Sequence, residues 1–321
     1  MMYPRLTLAR NLLTDDGVIF MSIDDNEQKN LKNICDEIFG EDNFVANVVW
    51  QKKYGPANDA KGMSDTHEHL LIYSKNNNLW MPELLPRNEK QLSAYKNPDN
   101  DPRGVWRASD LSVRTPSENC MYAITGPDGQ IHMPPKSTSW RVNKEKFDEM
   151  LKDNRITFGV SGTARPMQKK FLTEVKAGIT PQTWWSREFA DDTKIARYEA
   201  KELIPENVFD TPKPVKLIQR CLEISGKPNL MIDFFSGSAT SAHSVFSYNV
   251  LRKTNTKFIQ VQLPEETEIK STAFKAGYKT ITQIGKERIR RAGKKILEEN
   301  PEQKDKLDIG FKVFKLDESN I

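Results

Sequence analysis

The residues best placed to do chemistry lie between Asn229 and Phe246, in the stretch NLMIDFFSGSATSAHSVF. An apolar run closes on the acid Asp233, small residues follow around Gly237, and a helix-like segment begins near Thr240. If the run is a strand, its end presents backbone N–H groups and a helix N-terminus at the carboxyl edge of a sheet, where nucleotide-like ligands bind in open α/β folds. Gly237 would let a ligand approach the backbone, and Asp233 could accept a hydrogen bond from an amino group. The same residues also suit an ordinary strand-to-helix turn capped by Ser238 or Thr240. One glycine is a weaker signal than a G-x-G-x-x-G fingerprint, so the stretch alone leaves the two readings evenly matched.

The elements around it read as α/β. Leu6, Leu8, Ala9, Leu12 and Leu13 share one helical face, Asp15-Asp16-Gly17 turns the chain, and Val18 to Ile23 is a continuous apolar strand of the kind buried on both sides of a parallel sheet. Asp24 or Asp25 then caps a helix carrying Leu31, Ile34, Cys35 and Ile38, with Gly40 as its stop. Strand-like runs follow at Phe44 to Trp50 and His69 to Tyr73. From about Trp80 to about Pro205 the sequence turns irregular and polar, with a hairpin expected at YAITGPDGQIHM around Gly126-Pro127-Asp128-Gly129. The alternation then resumes: a helix from Pro214 to about Ile224, the strand Leu230 to Phe234, a helix after Thr240, the strand Phe258 to Leu263, a long helix from about Thr280 to Glu299, and a last strand-like FKVFKL. Residues 1–79 and 206–321 are therefore two pieces of one α/β domain, separated by an irregular insert, 80–205.

At 321 residues the chain is too long for one small domain and can bury a substantial core. Its 48 basic and 44 acidic residues leave a net charge of +4, which permits a polyanionic partner without requiring one. Cys35, Cys120 and Cys221 are odd in number, far apart and outside C-x-x-C spacing, which points to a reducing compartment and away from disulfides or a structural zinc site. The chain has no run of eighteen apolar residues, and Arg5 and Arg10 interrupt the first segment, so it reads as cytoplasmic, with no membrane contact.

Taken together, FDTPKPVKLIQRCLEI, MIDFFSGSAT and KFIQVQLPEE closely resemble the S-adenosylmethionine-binding segments of bacterial DNA amino-methyltransferases, in particular the modification subunit of type III restriction-modification systems. The resemblance extends over essentially the whole chain, through YPRLTLARNLLTDDGVIFMSIDDNEQKNLKNICDEIFGEDNFVANVVWQ, HEHLLIYSK, DNDPRGVWR, PQTWW and IGKERIRRAGKKI, in family order. It implies methyl transfer from S-adenosyl-L-methionine to adenine N6 in double-stranded DNA. The fold implied is a doubly wound, mostly parallel Rossmann-like sheet with one antiparallel strand, interrupted by an irregular α+β target-recognition insert. The partners implied are a second copy of the chain and a separate restriction subunit. The family motif F-x-G-x-G falls on Phe235-Ser236-Gly237-Ser238-Ala239, with Ala239 in place of glycine. By resemblance, Asp233 and Gly237 face the methionine moiety, Thr211, Lys213 and Pro214 line the same pocket, and Phe235, Ser238 and Thr240 complete the loop. Gln262 occupies the position that commonly holds a ribose acid, with Glu265 as a weaker candidate.

One family feature is missing. The Asp-Pro-Pro-Tyr tetrapeptide, whose Asp and proline carbonyl accept protons from the poorly nucleophilic adenine amino group while the Tyr stacks on the flipped base, does not occur. The only Pro-Pro is in Met133-Pro134-Pro135-Lys136. The chain begins at MMYPRL, just after the tetrapeptide's place in relatives, and ends at FKVFKLDESNI, where relatives continue, so an internal fragment is expected. The strand that carries the tetrapeptide normally lies between Leu230–Phe234 and Val18–Ile23. Without it those two strands are expected to have unpaired edges or to close on each other.

Within the insert, Arg103 and Arg107 beside Trp106, Arg141 beside Trp140, Arg187 beside Trp184-Trp185, and Lys169-Lys170 are the candidate DNA contacts, being types that bind phosphates and stack on bases. For any single tryptophan a place in the insert's own core is the favoured account. His67-Glu68-His69 sets two histidines on one face of a strand, but no third ligand is apparent and no metal is expected. In GKERIRRAGKKI, Ile289, Ala292 and Ile296 form an apolar stripe opposite Lys286, Arg290 and Lys294, which a solvated face explains. Two readings remain: a DNA adenine methyltransferase subunit, or a non-catalytic remnant that binds DNA or a partner subunit. A dinucleotide-dependent oxidoreductase is disfavoured by the single glycine and the absence of an acid closing the second strand.

Overall fold

The computed structural model describes residues 2–57 and 60–316, which divide into two compact units. One comprises Met1–Leu85 with Thr180–Ile321, the other Pro86–Ile179. Residues 80–85 and 180–205 thus belong to the larger unit. No described helix is long and apolar enough to cross a membrane.

The larger unit holds two sheets. In the first, helix α1 (Met2–Leu12) leads into β1 (Val18–Ile23), α2 (Gln28–Phe39), β2 (Phe44–Gln51) and β3 (His67–Ser74), and the short β4 (Trp184–Trp185) joins from far along the chain. The strand order is β1-β3-β2-β4. β3 runs antiparallel to both neighbours, with Ile23 opposite His69 on one side and Val49 opposite His69 on the other. β4 lies parallel to β2. Leu31, Cys35 and Phe39 recur four residues apart on α2 and are buried with Leu6, Ile19, Met21, Leu71 and Tyr73. Gly40, at a φ of 91°, ends the helix.

The second sheet is a βαβ unit. β5 (Leu230–Asp233) and β6 (Lys257–Gln260) pair in parallel, Asp233 opposite Gln260, with α5 (Thr240–Arg252) as the crossover. The helices α4 (Val215–Ile224) and α6 (Ile281–Glu299) pack against α5, and α3 (Thr193–Leu203) packs against α6. On α6, Ile289, Ala292 and Ile296 are buried, as their spacing predicts.

Several expectations are corrected. The sequence pattern predicts β1 in a parallel sheet buried on both faces; it pairs antiparallel with β3 and alternates in burial. Leu8 and Leu12 of α1 are exposed, while Leu6 alone is fully buried there. Neither Asp24 nor Asp25 caps α2: Glu27 occupies the cap position without a side-chain bond, and Asp24 Oδ1 accepts instead from the Asn26 amide at 3.1 Å. FKVFKL forms no strand; Phe311 packs on the α6 cluster, as do Leu307 and Ile309. In place of one doubly wound sheet, the described strands of this unit form two. The open edges of β1 and β5 have no strand partner among the described residues, and they do not close on each other.

The smaller unit is built on an antiparallel sheet of Trp106–Asp110, Met167–Phe171 and Ile156–Thr157. The expected hairpin is present, with Ile124–Thr125 paired to Ile131–His132. A helix at Lys144–Lys152 closes a core of Leu111, Ile124, Trp140, Phe147, Met150, Ile156 and Phe158.

Two edges that lack partners leave backbone donors and acceptors to water and shorten the cooperative unit. The isolated chain is expected to melt broadly and below the roughly 45–65 °C common for mesophile domains. A single sharp calorimetric transition within that range would contradict this.

Candidate functional site

The loop after β5 is held open by its backbone. Gly237 has a φ of 50°, and a β-carbon there would meet only Phe209, at 3.5 Å. Ala239, at the start of α5, is also left-handed (φ 63°, ψ 36°), a backbone region that favours glycine. The Gly237 N–H donates to Gln262 Oε1 at 2.8 Å, so Gln262 braces the loop from the far side of β6. The Asp233 carboxylate accepts from the Phe235 amide at 3.2 Å and from the Ser241 hydroxyl. Beyond the strands, Ser236 N–H donates to Val261 O at 3.2 Å, keeping the two chain ends side by side. Phe235, Val261 and Leu263 are exposed there, an apolar surface beside the polar groups of Asp233 and Gln262.

The TPKP segment reaches the other sheet. The Lys213 ammonium pairs with Glu68 on β3 and lies 5.1 Å over the Trp50 ring on β2. Glu68 also meets Lys52 at 3.5 Å and accepts from Ser22 Oγ at 3.4 Å. Trp50 is buried, its indole N–H donating to Asp191 O at 2.8 Å. Pro214 starts α4, whose first amide, Val215 N, donates to Glu199 at 3.0 Å. Thr211 is exposed.

A buried cation lies beneath the loop. Arg288 on α6 is 1% exposed and donates through Nη1 to Ser238 Oγ at 2.8 Å and Thr240 Oγ1 at 2.7 Å. Its Nε and Nη2 have no protein partner, and the residue lines a cavity of about 10 Å³, room for one water. Burial lowers its pKa to about 10 against the opposing pull of Glu199, so it stays charged at neutral pH. Glu199 is itself pushed up by burial. His243 on α5 is held down to about 3 by burial and by the positive charges of Arg288 and Lys295. Gly285 lets α6 close on the loop: a β-carbon there would touch Ala239 Cβ and Gly237 O at 3.4 Å. Sequence reading of α6 as an amphipathic helix missed Arg288. The signal was its place one residue before the apolar stripe of Ile289, Ala292 and Ile296.

The candidate DNA contacts are dispersed. Arg103 is tied to Asp101 at 2.8 Å and to Asp153 at 3.1 Å, and holds the Asp101 carboxyl far below its usual range. Lys169 is buried against Asp99 and lies 5.2 Å over the Trp106 ring. Arg187 pairs with Asp192 at 2.9 Å. Lys170 is half-buried, while Arg107 and Arg141 are exposed. Trp106, Trp140 and Trp185 are buried, and Trp184 is exposed. Asp25, which the sequence offered as a helix cap, instead lies 2.7 Å from His69 Nε2 and stands beside His67, the third ligand-type group that spacing did not reveal.

Among known proteins, the family described as DNA methylase (N6_N4_Mtase) matches residues 1–266. The type III restriction-modification enzyme StyLTI Mod subunit of Salmonella typhimurium (strain LT2) is 35% identical over 98% of this chain and 47% of its own length. The EcoP15I Mod subunit of Escherichia coli is 33% identical over 98% and 52%. The type II methyltransferase M.KpnI of Klebsiella pneumoniae is 29% identical over 88% and 70%. The chain thus spans about half the length of the Mod relatives. A proposed DNA modification methylase of Thermus thermophilus, solved with S-adenosyl-L-methionine, superposes with a TM-score of 0.38 at 12% identity over 91% of this chain and 76% of that one, too loose a likeness to bear on the fold.

His243 sets an acid limit. Its folded pKa, about 3, lies below the ordinary 6.5, so the unfolded chain takes up a proton first as pH falls. Its contribution is complete above pH 6.5 and is lost progressively toward pH 3, by up to about 1.4 kcal/mol per pH unit. In denaturant titrations across this window, His243→Gln is expected to lose stability less steeply than the parent chain. Identical slopes would place the proton uptake elsewhere.

Proposed function

The chain belongs to the DNA methylase family, and on that premise we propose that it supplies the cofactor loop and the recognition unit of a modification subunit that methylates adenine N6 in double-stranded DNA. The observation that carries this is the loop between β5 and α5, left-handed at Gly237 and Ala239, opening at the carboxyl end of a parallel strand pair with Asp233 and Gln262 on either side. The donor set suits S-adenosyl-L-methionine. Two oxygens of Asp233 retain lone pairs for an ammonium group, Gln262 can bond a ribose hydroxyl, and exposed Phe235, Val261 and Leu263 offer an apolar bed for a purine. When bound, the cofactor supplies an electrophilic methyl group. The chain's own residues position it: Gly237 removes the side chain that would block approach, Arg288 locks Ser238 and Thr240, and Thr211, Lys213 and Pro214 border the site from the preceding segment.

On this reading the β5–β6 pair and its helices form the cofactor-binding part of the methyltransferase core, and the sheet of β1 to β4 its other part. The smaller unit, Pro86–Ile179, forms the target-recognition insert, the subunit works as a cytoplasmic dimer, and a separate restriction subunit is its partner. Exposed Arg107 and Arg141, with Lys170, are the insert's proposed phosphate contacts; Arg103, Lys169 and Arg187 are held in ion pairs and act by shaping the surface. In the larger unit a groove of about 670 Å³, lined by Lys52, Lys53, Tyr54, Lys194, Arg197 and Tyr198, joins cations and aromatics in the combination that tracks a nucleic-acid backbone.

Calorimetric titration of the purified chain with S-adenosyl-L-methionine is the test. Saturable binding that Asp233→Ala and Asp233→Asn both abolish, with circular dichroism unchanged, supports the reading. No binding by a folded chain would overturn it in favour of a remnant that binds DNA or a partner without methylating. Gln262→Glu is expected to tighten binding severalfold, by about 1 kcal/mol, because a carboxylate makes a charge-assisted bond to the ribose. An unchanged or weaker affinity would remove Gln262 from the ribose position.

A further inference from the structure

The geometry points to a transition-metal site formed by Asp25, His67 and His69, specific for a borderline dication such as Zn²⁺ or Co²⁺. It stands independently of the cofactor reading. β3 begins at His67, and strand alternation puts His67 and His69 on one face, with their rings 5.3 Å apart and nearly perpendicular. The antiparallel register sets Ile23, the last residue of β1, opposite His69, so the chain leaving β1 delivers Asp25 to the same spot. Asp25 Oδ1 is 2.7 Å from His69 Nε2 and Oδ2 is 3.9 Å from His67 Nε2. One donor atom from each of the three residues lies within 4.8 Å of the others.

The second observation is on the far side of the His69 ring. Its Nδ1 lies 3.1 Å from Asn47 Oδ1 on β2. An amide oxygen accepts, so Nδ1 carries the proton, and Nε2 then faces Asp25 with its lone pair. Two acceptors 2.7 Å apart need a cation between them, either a proton or a metal. An outer acceptor that fixes the tautomer and aims Nε2 is the usual support of a metal-ligating histidine. Two nitrogens and one oxygen select a Zn²⁺-like ion over Mg²⁺ or Ca²⁺, which take oxygen ligands. Bond lengths of about 2.0–2.2 Å require Asp25 to swing slightly away from His69, which its exposed side chain allows. Three protein ligands leave a further position open. The site would clamp the end of β1 to the start of β3, on the face opposite Glu68 and its partner Lys213.

The test is titration of the tag-free full chain with Co²⁺, followed by visible d–d absorption, with Zn²⁺ added afterward as competitor. Expected are a saturable d–d spectrum that Zn²⁺ abolishes, an affinity reduced at least about tenfold by His67→Ala or Asp25→Asn, and a loss of about tenfold for Asn47→Ala, which touches no metal. Zn²⁺ should also raise the melting temperature of the parent chain and not of Asp25→Asn. A folded chain that gives no d–d spectrum overturns the proposal. So does Co²⁺ that binds the variants as tightly as the parent, or that shows sulfur-to-metal charge transfer, which would place it on a cysteine such as Cys120.

Discussion

A single desolvated charge constrains the loop between β5 and α5. Arg288 is buried under Ser238 and Thr240 and remains a cation there, so its guanidinium must keep those two hydroxyls or stand unpaired in a low-dielectric interior. That requirement ties α6 to the start of α5. Gly285 permits the contact, because any side chain larger than alanine would press on Ala239 and the Gly237 carbonyl. The left-handed backbone at Gly237 and Ala239 is thus over-determined by the helix behind it, the condition under which strained conformations persist. Glu199 of α3 faces the same charge while capping the first amide of α4, so four helices, α3 to α6, share one electrostatic centre.

A second constraint joins the sheets. Glu68 is flanked by Lys52 and Lys213, and Lys213 in turn covers Trp50. The half-buried acid with two cations fixes where the TPKP segment crosses β3, and hence where α4 begins. The indole of Trp50, buried and bonded to Asp191, gives the cation a polarised surface to rest on. The histidines on either side of Glu68 point to the opposite face of β3, so one three-residue stretch serves two separate clusters by strand alternation alone.

Backbone pairing explains why the two sheets stay apart. β1 satisfies one edge through β3 and β5 one edge through β6, and the remaining edges find no strand among the described residues. An antiparallel partner for β1 also accounts for its alternating burial, since one face of such a sheet can remain partly open.

Local patterning determined much of this protein by itself. The periodicity of Leu31, Ile34, Cys35 and Ile38, the turn at Gly126 to Gly129, the βαβ run around Asp233 and the apolar stripe of α6 are readable because each depends on neighbours within a few residues. The small-residue loop around Gly237 was legible for the same reason. Only the tertiary structure decided the rest. Whether Val18 to Ile23 joined a parallel or an antiparallel neighbour depended on a strand more than forty residues away. Arg103 and Lys169 read as candidate DNA contacts, and the fold pairs them with Asp101 and Asp99. Arg288 was not singled out from the charges of its helix, and Asp25 read as a cap, because burial and long-range pairing leave no trace in spacing. A charge's role is set by which groups the fold brings within a few ångströms of it, and that is a property of the packed chain.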